Sequence, residues 1–262
     1  MKIEAVIFDW AGTTVDYGCF APLEAFIAAF GQVGVVPTME ETRAPMGLPK
    51  KDHIVEMLKG KRLRGEFVKQ NGHEPNPSDI EEIYGKFEPI LFDLLDRHGE
   101  LLPGVEDCAE FLRRAGIVIG STTGYTAKMM EVLLPIAKEA GYSPDSMVCP
   151  DDVGKIGRPY PYMLWKNLQI LEVKDVRKVI KVGDTASDIE EGKNAGCFTV
   201  GVLEGSSMLG LSLEEVKKIS TAELNSKKEI AASQYRSAGA DAVLNDISKL
   251  PGLIGTRSDI VV

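Results

Sequence analysis

Short apolar runs recur along this chain, and helix-period segments fill the spaces between them. IEAVIF near the start, GIVIGS at 116–121, DSMVCP at 145–150, KVIKVGD at 178–184 and CFTVGVL at 197–203 read as buried strands, too short for amphipathic helices. VEDCAEFLRRAG, TAKMMEVLLPIAKEAG and ASDIEEGKNAG have helical spacing, and each closes on a glycine placed as a helix stop. Parallel strands joined through helices need crossover connections. The alternation therefore predicts an α/β fold, a doubly wound and mostly parallel sheet covered on both faces. AVLNDI reads as a last edge strand.

One long segment breaks the rhythm. Residues 17–101 carry helix-period stretches such as PLEAFIAAFGQVG and SDIEEIYGKFEPILFDLLDRHG and no apolar strand, so they read as a helical insertion. The expected division is a core of residues 1–16 and 102–262 with a helical domain of 17–101 set into it, the return marked by the Pro103-Gly104 turn. The stretch 206–237, rich in Lys and Glu at helical spacing, reads as a solvated helical face.

The 262 residues carry a formal net charge of −9, which argues against a nucleic-acid groove as the main function. No apolar run approaches the roughly 20 residues needed to cross a bilayer. The start of the chain has acids within its apolar run and no small-residue cleavage site, so the expectation is no signal peptide, no membrane partner and a cytoplasmic location. The four cysteines, Cys19, Cys108, Cys149 and Cys197, form no CxxC pair, and the last three read as packed small hydrophobes.

Ligands of open parallel sheets sit beyond the carboxyl ends of the strands, so the residues there carry the functional reading. The first run ends in Asp9. GIVIGS leads into Thr122, Thr123 and Gly124. KVIKVGD ends at Asp184 with Asp188 one helical turn later, and Arg158 lies in the loop GRPYP. A carboxylate such as Asp9 can act as a nucleophile toward phosphorus and split phosphoryl transfer into two steps. Two anions meet only across a hard cation, and Mg²⁺ held by Asp9 and Asp184, with Asp188 an outer or alternate ligand, suits that task. Thr123 and Gly124 would bind phosphoryl oxygens at the start of the next helix, and Arg158 would offset charge.

FDWAGTTVD, STTGYT, GRPYP and KVGDTASD, in this order, resemble the four motifs of the haloacid dehalogenase superfamily of phosphotransferases. The resemblance implies an Asp nucleophile, Mg²⁺ and a cap domain matching the helical insertion. One position departs from the common phosphatase pattern, where a second Asp two residues after the first protonates the leaving oxygen. Here that place holds Ala11. A leaving group that is carbon rather than oxygen removes the need for that acid, provided an imine on the adjacent carbon accepts the electrons.

RAPMGLPKKDHI at 43–54 offers the amine. Lys50 stands three residues before His53, on one face if the stretch is helical, and Pro49 favours seating Lys50 in a first helical turn. Lys50 and Lys51 are adjacent, and either could be the reactive one. This loop together with FDWAGTTVDYGCFAP resembles the phosphonatase branch of the superfamily. That resemblance implies hydrolysis of the P–C bond of phosphonoacetaldehyde to acetaldehyde and orthophosphate, and a homodimer. It makes Lys50 the Schiff-base residue, with Mg²⁺ on Asp9, Asp184 and the Ala11 carbonyl. It places His53, Met46, Cys19 and Tyr125 around the lysine, His53 as a proton shuttle. The rival expectations are an ordinary phosphate-ester hydrolase, which Ala11 disfavours, and a non-enzymatic metabolite-binding module, which would not need a nucleophile.

Overall fold

The computed structural model describes residues 2–258. Residues 1 and 259–262, assigned to the core above, lie outside the described residues. Six strands form one sheet: β1 (Ala5–Phe8), β2 (Val118–Thr122), β3 (Ser146–Val148), β4 (Val179–Gly183), β5 (Phe198–Val202) and β6 (Ala242–Leu244). Their order is β3-β2-β1-β4-β5-β6 and every pairing is parallel. The chain starts in the middle, builds to one edge, then returns and builds to the other. The connection reverses between β1 and β4, and at such a switch point a crevice opens beyond the strand ends.

The strands alternate their side chains between two cores, as period two requires. Val6 and Phe8 join Ile119, Ile180 and Val182 in the larger core, whereas Ala5 and Ile7 pack with Leu164, Leu168 and Val179 on the other side.

The insertion within the first connection holds five helices: α1 (Phe20–Gly31), α2 (Met39–Arg43), α3 (Lys50–Lys59), α4 (Lys61–Asn71) and α5 (Pro77–Leu95). Phe26 of α1 stacks on Phe87 of α5 at 4.1 Å between ring centroids, which ties the longest helix of the insertion to the first. The chain enters and leaves this insertion side by side. Val15 bridges Leu101, Leu102 donates its N–H to the Thr14 carbonyl (2.9 Å), and Asp16 donates to Glu100 (3.3 Å).

The core carries the remaining helices: α6 (Val105–Arg114), α7 (Ala127–Glu139), α8 (Tyr162–Ile170), α9 (Ala186–Ala195), α10 (Leu213–Lys218), α11 (Thr221–Ser237) and α12 (Leu250–Ser258). The reading of 206–237 as a solvated face is corrected here. Ser206, Ser207 and Tyr235 are fully buried, and the Tyr235 hydroxyl donates to the carbonyls of Asp184 (2.6 Å) and Val202 (2.9 Å). The Lys and Glu residues describe the outer side of α11, while its inner side closes on α9 and β6 with Ala231, Ala232 and this tyrosine.

Candidate active site at the switch point of the sheet

Asp9 follows β1 directly, and its N–H donates to the Val182 carbonyl of β4 (3.0 Å), which fixes it at the β1/β4 crevice. Thr13, Thr14 and Val15 all donate N–H to the Trp10 carbonyl and curl the next residues into a tight loop. Gly12 makes that loop possible. Its φ is +86°, and a Cβ there would lie 2.4 Å from Asp184 Oδ2. Only a glycine lets the backbone next to Ala11 pass so close to the second carboxylate.

Asp184 follows β4 in the same way. Its Oδ2 accepts from the Ser207 N–H (2.8 Å) and hydroxyl (2.6 Å). Asp9, Asp184 and Asp188 are all buried, and each offers an oxygen within 4.8 Å of the others. Burial raises Asp9, although Arg158 opposes the shift, and burial plus the neighbouring Asp9 and Asp188 carboxylates raise Asp184 well above the ordinary range. Among the described residues no cationic side chain forms an ion pair with Asp184. An all-oxygen donor set with uncompensated buried charge fits a hard divalent cation.

Asp188 is placed differently from the other two. Its Oδ1 faces Lys181 Nζ (2.9 Å) and an Arg158 Nη2 (3.1 Å), and its Oδ2 accepts from Thr185 Oγ1 (2.6 Å). Those two cations outweigh the effect of burial and hold its carboxyl below the usual value. Arg158 itself donates to Asp9 Oδ1 (2.6 Å), to the Thr122 carbonyl (2.9 Å) and, through Nε, to Glu191 Oε2 (3.1 Å). Burial alone would lower its pKa, but Asp188, Asp9 and Glu191 more than reverse this, so the guanidinium stays charged.

Lys50 arrives from the opposite side. Pro49, with φ −52° and ψ 142°, is the N-cap of α3, and Lys50 is the first helical residue. Lys50, His53, Ile54 and Met57 share the buried face of that helix, while Lys51 points away to an ion pair with Glu81 (2.6 Å). Lys50 is 8% exposed, with Nζ 4.7 Å from the centre of the Tyr125 ring. Burial lowers its pKa against the opposing pull of Asp9. Burial likewise holds the Cys19 thiol well above its usual range, so it is an uncharged wall of the cavity.

One small cavity of about 20 Å³ is lined by Asp9, Ala11, Cys19, Met46, Lys50, Thr123, Gly124, Tyr125, Arg158 and Asp184, together with Gly47 and Thr185. Two of the expected site residues lie elsewhere: Asp188 stands behind Arg158, and His53 lies under Lys50. His53 Nε2 donates to the Thr42 carbonyl (2.8 Å), its ring stacks on Phe26 at 4.0 Å, and Nδ1 has no partner. Burial and the Lys50 charge push its pKa down to about 3, so the imidazole is neutral. Thr123 and Gly124 precede the helix rather than start it, because α7 begins at Ala127 with Thr126 as its cap. A larger groove of about 640 Å³, with Arg43, Glu190 and Ser233 on its walls, adjoins the cavity through Met46 and Thr185.

Residues 3–196 match the family model of haloacid dehalogenase-like hydrolases. The phosphonoacetaldehyde hydrolase of Bacillus cytotoxicus is 48% identical over 254 residues, covering 97% of this chain and 96% of its own. That of Bacillus cereus is 50% identical over 250 residues, covering 95% and 94%. A crystal structure of a phosphonoacetaldehyde hydrolase-like protein from Oleispira antarctica superimposes with a TM-score of 0.95 at 39% identity, covering 98% of this chain and 92% of that one. The chain belongs to the phosphonoacetaldehyde hydrolase family.

In this phosphonoacetaldehyde hydrolase family member the sequence reading missed the residues behind the cavity. Lys181 is fully buried in the middle of β4, and its Nζ meets Asp188 (2.9 Å), Glu191 (3.2 Å) and the Thr122 hydroxyl (2.8 Å). The signal was present: a lysine inside an apolar strand must find buried counter-charges. Ser207 and Tyr235, which hold Asp184, gave no such signal. They come from a segment whose visible pattern is its solvent side.

Proposed function

We propose that this chain hydrolyses phosphonoacetaldehyde to acetaldehyde and orthophosphate, with residues 17–101 as a cap over a core of residues 1–16 and 102–262. What supports this reading above all is that Lys50 and Asp9, an amine and a carboxylate from opposite sides, line one small cavity with no acid at position 11. A free space of about 20 Å³ has room for little more than a water molecule and is too small for the substrate, so substrate enters when the cap lifts and reacts when it closes.

The Lys50 amine attacks the aldehyde carbon, and loss of water gives a protonated imine. Asp9 attacks phosphorus in line while the P–C electron pair moves into the carbon chain, which leaves as an enamine on Lys50. Protonation of the enamine carbon and hydrolysis of the imine release acetaldehyde and free Lys50. Water then cleaves the aspartyl phosphate to orthophosphate and Asp9. Arg158 stabilises the phosphoryl oxygens in both transfers, with Thr123 and Gly124 as further donors. His53, Met46, Cys19 and Tyr125 shape the lysine side, and His53 Nδ1 is the available acceptor for a proton shuttle. Asp9, Asp184 and the Ala11 carbonyl would hold Mg²⁺, which shields the carboxylate from the phosphonate charge, with Asp188 behind them.

Acetaldehyde release from phosphonoacetaldehyde, with and without Mg²⁺, tests the activity. Borohydride reduction in the presence of substrate should fix a carbon adduct on Lys50. Full P–C cleavage by Lys50→Arg, or hydrolysis of aryl phosphates in place of the phosphonate, would overturn the proposal.

The protein is also read as a cytoplasmic homodimer. No helix among the described residues is long and apolar enough to cross a membrane. Tyr160, Tyr162, Trp165 and Ile156 form an exposed apolar cluster outside the active site, a surface suited to a second copy. Sedimentation of a monomer at micromolar concentration would exclude the dimer.

A further inference from the structure

The three residues before Lys50 rest on three different core loops, and each contact depends on a glycine. A Cβ on Gly47 would lie 2.2 Å from Ser187 Oγ and 2.5 Å from Thr185 Oγ1. One on Gly124 would lie 3.2 Å from the Leu48 carbonyl oxygen. One on Gly157 would lie 2.7 Å from Pro49 Cγ, its other neighbours standing no closer than 3.5 Å.

Gly157 differs from Gly47 in an informative way. Gly47 has φ +90°, so its own backbone calls for glycine, whereas Gly157 is outside the left-handed region and could carry any side chain. The reason for a bare backbone at 157 comes from the other side of the closure, from the Pro49 ring. That ring is rigid and sits one residue before Lys50, so its depth of contact passes directly to the lysine. On the core side Gly157 immediately precedes Arg158, whose guanidinium grips Asp9 at 2.6 Å. A single contact thus relates the backbone carrying the amine to the backbone carrying the group that holds the nucleophile.

We propose that the Pro49 ring seated on Gly157 is the stop of cap closure, and that the pair are positioning residues setting the distance of Lys50 from the phosphonate-binding core. The inference rests on the reading above that Lys50 acts from a closing cap. It predicts a defect confined to the closed state, because nothing in the core opposes a methyl group at 157.

In Gly157→Ala the cap should seat about 1 Å short, and a misplacement of that size costs roughly 100-fold in rate. We expect kcat for acetaldehyde release to fall by about that factor with KM changed less than about threefold. Binding of beryllofluoride at Asp9, which needs only the core, should match the unsubstituted enzyme. Adding Pro49→Ala removes Cγ and Cδ, and the double variant should recover to within a few-fold of Pro49→Ala alone. An unaffected Gly157→Ala, a double variant as slow as Gly157→Ala, or lost beryllofluoride binding would each overturn the stop. Borohydride trapping on Lys50 of the unsubstituted enzyme separates the two ideas: its absence refutes the imine reading itself, whereas its presence with no rescue refutes only the Pro49–Gly157 stop.

Discussion

Replacing Lys181 by Met tests whether the charges behind the active site act as one unit. Lys181 and Arg158 are the two cations among three buried carboxylates, Asp9, Asp188 and Glu191. Methionine has nearly the volume of lysine, so the substitution removes charge without opening a large cavity. It leaves Asp188 and Glu191 to share Arg158, and breaking a buried pair from one side costs about 3–5 kcal/mol. At roughly 2.1 cal/mol/K of unfolding entropy per residue, a chain of 262 residues should lose about 5–9 °C in Tm. The same loss should appear in urea as a lower midpoint at constant slope. Adding Glu191→Gln removes the surplus anion, so the double variant should be at least 1 kcal/mol more stable than the sum of the two single losses implies. A Lys181→Met loss below about 1 kcal/mol, or strict additivity in the double variant, would refute the idea that the five charges are held as a unit.

Two other outcomes follow from titrating groups. Because burial depresses Lys50, the pH at half-maximal borohydride trapping should lie clearly below 10.5, the ordinary lysine value; a midpoint at or above that value contradicts a desolvated amine. His98 Nδ1 lies 3.2 Å from Asp16 where the chain enters and leaves the insertion, and that hydrogen bond raises its pKa above 6.5. A folded value above the unfolded one stabilises below pH 6.5 and fades as pH rises through the folded value. His98→Gln should therefore lower Tm more at pH 5.5 than at pH 8.5, and an equal or reversed difference would count against the pairing.

The strands were legible because a parallel sheet buried on both faces needs apolar residues in unbroken runs, and because each run stops where the backbone emerges at the crevice. Asp9, Thr123 and Asp184 could be found for that reason alone. The choice between Lys50 and Lys51 could not be made in the same way. Adjacent helical residues point about 100° apart, and only the fold shows which direction is inward. Pro49 fixes where α3 starts, and the buried face then runs through Lys50, His53 and Met57. The supports of Asp184 were invisible for a different reason. Ser207, through its N–H and hydroxyl, and Tyr235, through its hydroxyl, act on a partner more than twenty residues away, and no local periodicity records such a contact.

The alanine at position 11 bears on the amine as well as on the leaving group. Ala11 and Lys50 line the same small cavity, which also holds the buried Asp9 and Asp184 carboxylates. Asp9 already pulls the lysine toward its protonated form, and burial overcomes it. An aspartate at 11 would add another carboxylate to this small space, and its natural partner would be the Lys50 ammonium. Oppositely charged groups within about 4–6 Å shift a pKa by roughly 1–3 units toward the charged form. The acid that serves an oxygen leaving group would thus hold protonated the nucleophile that a carbon leaving group requires. In Ala11→Asp the midpoint of borohydride trapping should move up by at least about one pH unit, with the maximal yield at high pH retained. An unchanged midpoint would mean that the two side chains do not sense one another, and the alanine would then have to be explained by the leaving group alone.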